Sequence, residues 1–185
     1  MKNLAFFLIV LIFTGCYVNP QIATLGNFYN GEKKTGYELI EGKHLVAIPR
    51  GLAGHFERGI KMNMPTSIKE KDPADKTLVI EYFFTKFNKG NHAARFWKWW
   101  FADQDERGFI EIKILFKDKN GKILETTYFS IPATRGFFGG SVTSSSYLLG
   151  ESVSSYMRNY FFSNQPYKEN QCTAIFCPKH PNTSK

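Results

Sequence analysis

The chain has 185 residues, a formal net charge of +8 at pH 7 and 43% hydrophobic residues. That length suits one domain of ordinary size with tails, and it is enough for a real hydrophobic core. The basic excess is spread along the chain, which fits anionic lipid, cell-wall polymer or an acidic partner and speaks against nucleic acid.

Met1-Lys2-Asn3 is followed by an uncharged run, Leu4 to Phe13. Lys2 supplies the positive n-region and the run supplies the h-region of a secretory signal. The run is shorter than the ~20 apolar residues a transmembrane helix needs. Thr14-Gly15-Cys16 closes it as a lipobox, with Phe13 where Leu is usual. The Cys16 thiol would take diacylglycerol, and the small neighbours let a peptidase reach the bond before it. Cys16 is therefore expected to be the lipid-carrying N-terminus, with membrane lipid as its partner. Several acyl chains anchor stably where one is marginal. Tyr17 stands where an Asp would retain a lipoprotein in the inner membrane. The expected location is the outer membrane, facing the periplasm.

Residues 16–42 read as a lipidated tether with scattered aromatics, after a signal peptide of 1–15. His44 to Ile48 reads as a short strand stopped by Pro49-Arg50-Gly51. Residues 50–75 fit a strand or a short helix, because Phe56, Ile60, Met62 and Met64 suggest packing while Gly51, Gly54, Gly59 and Pro65 interrupt it. Lys69 to Pro73 reads as a turn. Thr77 to Phe87 is rich in Val, Ile, Tyr and Phe and predicts a strand. Ile110, Ile112, Ile114 and Phe116 alternate with Glu111 and Lys113, so Phe109 to Phe116 is a strand with one apolar side. Asp118-Lys119-Asn120-Gly121 is a hairpin turn, since Asn-Gly accepts positive φ. Lys122 to Ile131 returns as its partner, ended by Pro132; Glu111 and Glu125 are expected to face solvent.

Leu149, Val153, Tyr156, Met157 and Tyr160 recur at helical spacing, which predicts one long amphipathic helix within Ser141 to Phe162. Ser144, Ser145, Ser152 and Ser155 give it a small-residue face, either solvated or available for self-association. The predicted class is α+β: an antiparallel sheet of about four strands covered on one face by this C-terminal helix. The domain would span 43–165, followed by a tail of 166–185. In that tail Cys172 and Cys177 form a Cys-x4-Cys pair, and an oxidising compartment makes a disulfide the expected state. Such a bridge closes a short loop and stabilises modestly. With only His180 nearby it is a poor metal site.

From Leu78 to Phe162 a pattern runs as a unit. A strand leads into Gly90-Asn91-His92-Ala93-Ala94-Arg95-Phe96-Trp97, a hairpin turns at Asp118 and Gly121, and the loop Arg135-Gly136-Phe137-Phe138-Gly139-Gly140 precedes a closing helix. With the lipoprotein signal, this resembles bacterial envelope lipoproteins that carry the domain of unknown function 4410. The chain departs from them in having Lys98-Trp99-Trp100-Phe101 and Asp103-Gln104-Asp105-Glu106 in a segment that is glycine-rich in the family. The resemblance implies an envelope domain of mixed α/β fold with no assigned chemistry.

Arg95-Phe96-Trp97-Lys98-Trp99-Trp100-Phe101 holds all three tryptophans. Three readings fit it: packing into the core, contact with a membrane surface or a partner, and a groove for a small ligand. The Gly-rich loop lacks both the P-loop and the dinucleotide fingerprints. No GxSxG, HExxH or EF-hand loop is present, and His44, His55, His92 and His180 lie in unlike contexts. The expectation is a non-enzymatic binding or scaffold module without cofactor or metal, meeting an envelope protein. The alternative is a carrier or chaperone for a lipid or other apolar ligand, with a pocket lined by Trp97, Trp100, Phe84 or Phe138. A hydrolase would need a histidine such as His55 or His92 against Ser144 in a cleft.

Overall fold

A computed structural model describes residues 20–26, 28–70, 76–90, 108–132 and 141–162. The elements in chain order are β1 (Gln21–Leu25), β2 (Gly36–Glu41), α1 (Leu52–Asn63), β3 (Lys69–Glu70), β4 (Thr77–Asn88), β5 (Phe109–Lys117), β6 (Ile123–Pro132) and α2 (Val142–Met157), which runs on into a π-helical turn (Arg158–Phe162).

The strands form one six-stranded sheet in the order β1-β6-β5-β4-β2-β3. β4, β5, β6 and β1 pair antiparallel, whereas β2 pairs parallel with both β4 and β3. A parallel pair needs a crossover, and α1 provides it between β2 and β4. The α+β class therefore holds. Among the described residues, the sheet of about four antiparallel strands is corrected to six strands of mixed pairing, and two helices cover its face instead of one.

The differences have local causes. β1 and β2 lie inside the stretch read as tether, because strands of five and six residues carry little periodicity of their own. His44 to Ile48 is no strand, with a bend at Leu45 and Val46; its backbone meets β4 where Leu45 N donates to Phe84 O at 3.0 Å. The ambiguous stretch after Pro49 becomes α1, with Gly51 as N-cap at φ 85° and Leu52, Phe56 and Ile60 on its buried side. Lys69-Glu70, expected in a turn, is a two-residue edge strand.

The second half follows its pattern. Ile110, Ile112, Ile114 and Phe116 of β5 are fully buried beside Leu78, Ile80, Tyr82 and Phe84 of β4. At the hairpin Asp118 Oδ1 accepts from the N–H groups of Asn120 and Lys122 at 2.9 Å each, and Gly121 adopts φ 83°. Ser141 caps α2 by accepting from Ser144 N at 3.0 Å. Leu149, Val153, Tyr156, Met157 and Tyr160 all face the core as their spacing predicts.

α1 and α2 meet backbone to backbone. A Cβ added at Gly59 would lie 2.1 Å from Tyr147 O, and one at Gly150 would lie 2.1 Å from Phe56 O. Only glycine allows such an approach. Of the small-residue face, Ser145 and Ser152 are buried, Ser155 is half-buried and Ser144 is exposed. The serine bonded to α1 is Ser146, whose Oγ donates to Leu52 O at 2.9 Å.

Two alanine substitutions in α1 should therefore act in opposite directions. Gly59→Ala is expected to cost about 3 kcal/mol by forcing the helices apart. Gly54→Ala, which meets nothing within 4 Å, should stabilise by about 0.5–1 kcal/mol. Urea denaturation of both variants checks the pair; a loss at Gly54 as large as at Gly59 would contradict the contact.

Candidate functional site: one end of the sheet

Cys16, Cys172, Cys177 and the whole segment Arg95, Phe96, Trp97, Lys98, Trp99, Trp100 and Phe101 lie outside the described residues, as do the Gly-rich loop and His92 and His180. What the structure describes is where their flanking residues leave the sheet. β4 ends at Asn88 opposite Phe109 of β5, and Phe109 lies opposite Pro132 of β6. Gln21, the first residue of β1, pairs with Ser130 of β6. The start of β1, both ends of the 91–107 connection and the start of the 133–140 connection therefore share one end of the sheet. The Asp118–Lys122 hairpin marks the other end.

The link from β2 to α1 reaches toward the same end. Gly42 N donates to Tyr82 O and Leu45 N to Phe84 O, both at 3.0 Å. The His44 ring stands edge-on to Phe84 at 5.0 Å, and its Nε2 meets Glu41 Oε1 at 2.8 Å.

Toward the hairpin end sits a group that sequence reasoning misplaces. Glu125, expected to face solvent, is only 3% exposed. It shares a face with Thr127, Phe129 and Ile131, the inward set of β6, so counting back by twos from Phe129 places it inside. Its carboxylate accepts from Tyr29 N at 2.8 Å, from Thr127 Oγ1 at 2.7 Å and from the Tyr156 hydroxyl. Thr24 Oγ1 lies 3.2 Å from Tyr156 Oη. A buried charge is tolerated when its lone pairs are filled this way. Burial first, and then the neighbouring Glu125 charge, push the Tyr156 phenol far above its ordinary value. The donors to Glu125 come from the segment after β1, from β6 and from α2, and Thr24 of β1 joins through Tyr156, so the cluster ties the N-terminal strand to the sheet and helix. Glu111, on the outer face, accepts from Thr85 Oγ1 at 2.8 Å and Lys86 Nζ at 3.2 Å.

The same N-terminal segment closes the end of α2. Phe28 stacks on Tyr160 at 4.9 Å and Tyr29 on Phe161 at 4.7 Å. Lys34 N and Lys33 Nζ donate to the carbonyls of Phe161 and Tyr160, each at 2.9 Å. Terminal helix carbonyls need such partners, and a cation there complements the helix dipole.

His55 and Ser144 do line a common open groove of about 520 Å³ with Arg58, Met62, Thr143, Tyr147 and Leu148. Ser144 Oγ, however, lies 2.9 Å from Ser141 Oγ within the helix cap. Among the described residues no hydrogen bond joins His55 to Ser144. Phe84, named for a carrier pocket, is wholly buried against Phe56 and Tyr82. No group of three or more His, Cys, Asp or Glu among the described residues could hold a metal ion.

No family model matches the chain, and no curated protein does. Among solved structures it is similar to PelC from Paraburkholderia phytofirmans, solved as a dodecamer, at 8% identity and TM-score 0.46 over 75% of this chain and 96% of that one. A variant of the same PelC dodecamer with one leucine replaced by methionine gives 10% identity and TM-score 0.44 over 76% and 97%. A PDZ domain protein from Parabacteroides distasonis gives 11% identity and TM-score 0.39 over 80% of this chain and 38% of that one. At these identities and scores nothing is carried over to this chain.

The Glu125 cluster yields a pH-dependent prediction. Folding keeps the Tyr156 proton on above the ordinary phenol value of 10.0, while the unfolded chain ionises near it. The corresponding stability is complete below that value and declines as pH rises through it toward the folded value. Tyr156→Phe should cost about 1.5–3 kcal/mol at neutral pH through the lost bond to a charge. It should also flatten the fall in stability between about pH 9 and about pH 11 in urea titrations. An alkaline limb unchanged from that of the parent chain would contradict the assignment.

Proposed function

We propose that this chain is a membrane-anchored lipoprotein of the bacterial cell envelope, held at the outer membrane facing the periplasm. In this reading it is a non-enzymatic binding or scaffold module that meets an envelope protein. One observation carries the proposal: β1 begins five positions after Cys16. A fully extended chain of that length spans at most about 18 Å. A lipid on Cys16 would hold the adjoining end of the sheet close to the bilayer.

The residues flanking the 91–107 connection lie at the same end of the sheet, so segment Arg95–Phe101 is assigned the contact with the membrane or partner. Tryptophan rings suit headgroup depth, and Arg95 and Lys98 suit lipid phosphate. The resemblance to envelope lipoproteins supports the same placement. The carrier reading has less support, because Phe84 is packed into the core.

The test uses two readouts. Palmitate labelling in cells should be lost on Cys16→Ser; labelling that persists would refute the anchor. The Cys16→Ser mature chain should show a blue shift of tryptophan emission on anionic vesicles, weakened by salt and absent on neutral ones. All three tryptophans lie in the assigned segment, so the signal reports on it alone. Emission that vesicles leave unchanged would remove the membrane contact.

A further inference from the structure

We infer that the β2–α1 connection, residues 42–51, is a second lipid-contacting element at the anchored end of the sheet. Leu45 enters the boundary between headgroups and acyl chains, and Lys43 and Arg50 sit on anionic headgroups. The inference rests on the anchored-lipoprotein reading and names the surface the domain rests on.

The placement comes from the contacts on either side. Leu45 is bonded to Phe84, four positions before β4 ends at Asn88. After the connection, α1 runs back along β4: Phe56 packs on Phe84 and Tyr82, Glu57 accepts from Tyr82 Oη at 2.7 Å, and Lys61 pairs with Glu70 at 2.9 Å. The reversal at 46–51 thus falls on the side of Phe84 toward Asn88, the end of the sheet at which the 91–107 connection departs and, beyond β5 and β6, β1 begins.

The exposure alternates along the connection. Gly42, His44, Val46 and Ile48 are half-buried, while Lys43, Leu45, Ala47 and Pro49 point outward. Two backbone bonds to β4 and the packing of His44 hold this ridge in place. Leu45 is 73% exposed, more than any other large apolar side chain among the described residues. A leucine held out on a pinned backbone gains by entering an apolar phase.

The charges fit an anionic surface. Lys61, Lys76, Lys86 and Lys117 are each paired with a glutamate. Neither Lys43 nor Arg50 has an acidic partner among the described residues. Glu41, the acidic side chain next to the ridge, is engaged by His44. A cation near an anionic bilayer strengthens attachment about fivefold.

The experiment places an environment-sensitive fluorophore on Leu45→Cys in the acylated mature chain, with Cys172→Ser and Cys177→Ser leaving one free thiol. A second sample carries it on Ile123→Cys, beside the hairpin, where the native side chain is 52% exposed. Both are reconstituted into vesicles of phosphatidylglycerol and phosphatidylethanolamine containing a nitroxide-labelled lipid. The probe at 45 is expected to shift blue and to be quenched several-fold more than the probe at 123. Lys43→Glu with Arg50→Glu should abolish the difference. Water-like, unquenched emission at 45 in chains that still float with the vesicles overturns the docking and leaves the anchor standing. Chains that fail to float overturn the anchor itself. Emission that turns apolar only in native envelope membranes assigns the ridge to a protein and also overturns lipid docking.

Discussion

The layering of this domain depends on the backbone contact between Gly59 and Gly150. Two helices that touch without intervening side chains act as one slab, and Phe56, Ile60, Leu149 and Val153 face the sheet from it. Because β2 and β4 run parallel, the chain leaving β2 must turn back through α1 before it can return as β4, and the contact with α2 fixes where α1 lies. That reversal creates the ridge at 42–51 and sets it at the same end of the sheet as the start of β1, with β5 and β6 between them. The outer face of the sheet is left to half-buried Val79, Phe83, Leu115 and Tyr128, interleaved with the Glu81–Lys117 pair.

The Glu125 cluster does a different job. A five-residue edge strand such as β1 would fray if only one ladder held it. Here the segment following it is fastened by a buried carboxylate, two stacked aromatic pairs and two bonds to the end of α2. A pull transmitted from a lipid at Cys16 would therefore be borne by the core of the domain. The phenol of Tyr156 joins both roles, since it packs on Phe116 and Phe129 while its hydroxyl serves Glu125.

The parts legible in sequence are those whose periodicity is set by one buried face. β4, β5, their hairpin partner and α2 each repeat apolar residues at the period of their own backbone, and the Asn120-Gly121 turn announces itself chemically. α1 is obscured by Gly54 and Gly59. The first is a neutral exposed position, and the second is required by a partner 91 residues away, at Gly150. β1, β2 and the Phe28-Tyr29 clamp look like a tether because their burial comes from long-range pairing rather than from local pattern. Glu125 is misread when charge is weighed above phase; donors from the distant Tyr29 and Tyr156, with Thr127 two places along the same strand, are what make its inward position tolerable. Within the described residues, the site at the sheet end is legible as residue types but not as a place, because strand order and register decide which connections share an end.

If this end of the sheet rests on the bilayer, the hairpin end points away from it. Amide hydrogen exchange on the acylated mature chain, compared between anionic vesicles and neutral detergent micelles, tests that orientation most directly. Slowed exchange across 43–51 and 91–107 on the vesicles, with Asp118–Lys122 unchanged, is the expected result. Slowing confined to the hairpin, or equal exchange everywhere in both settings, would contradict it.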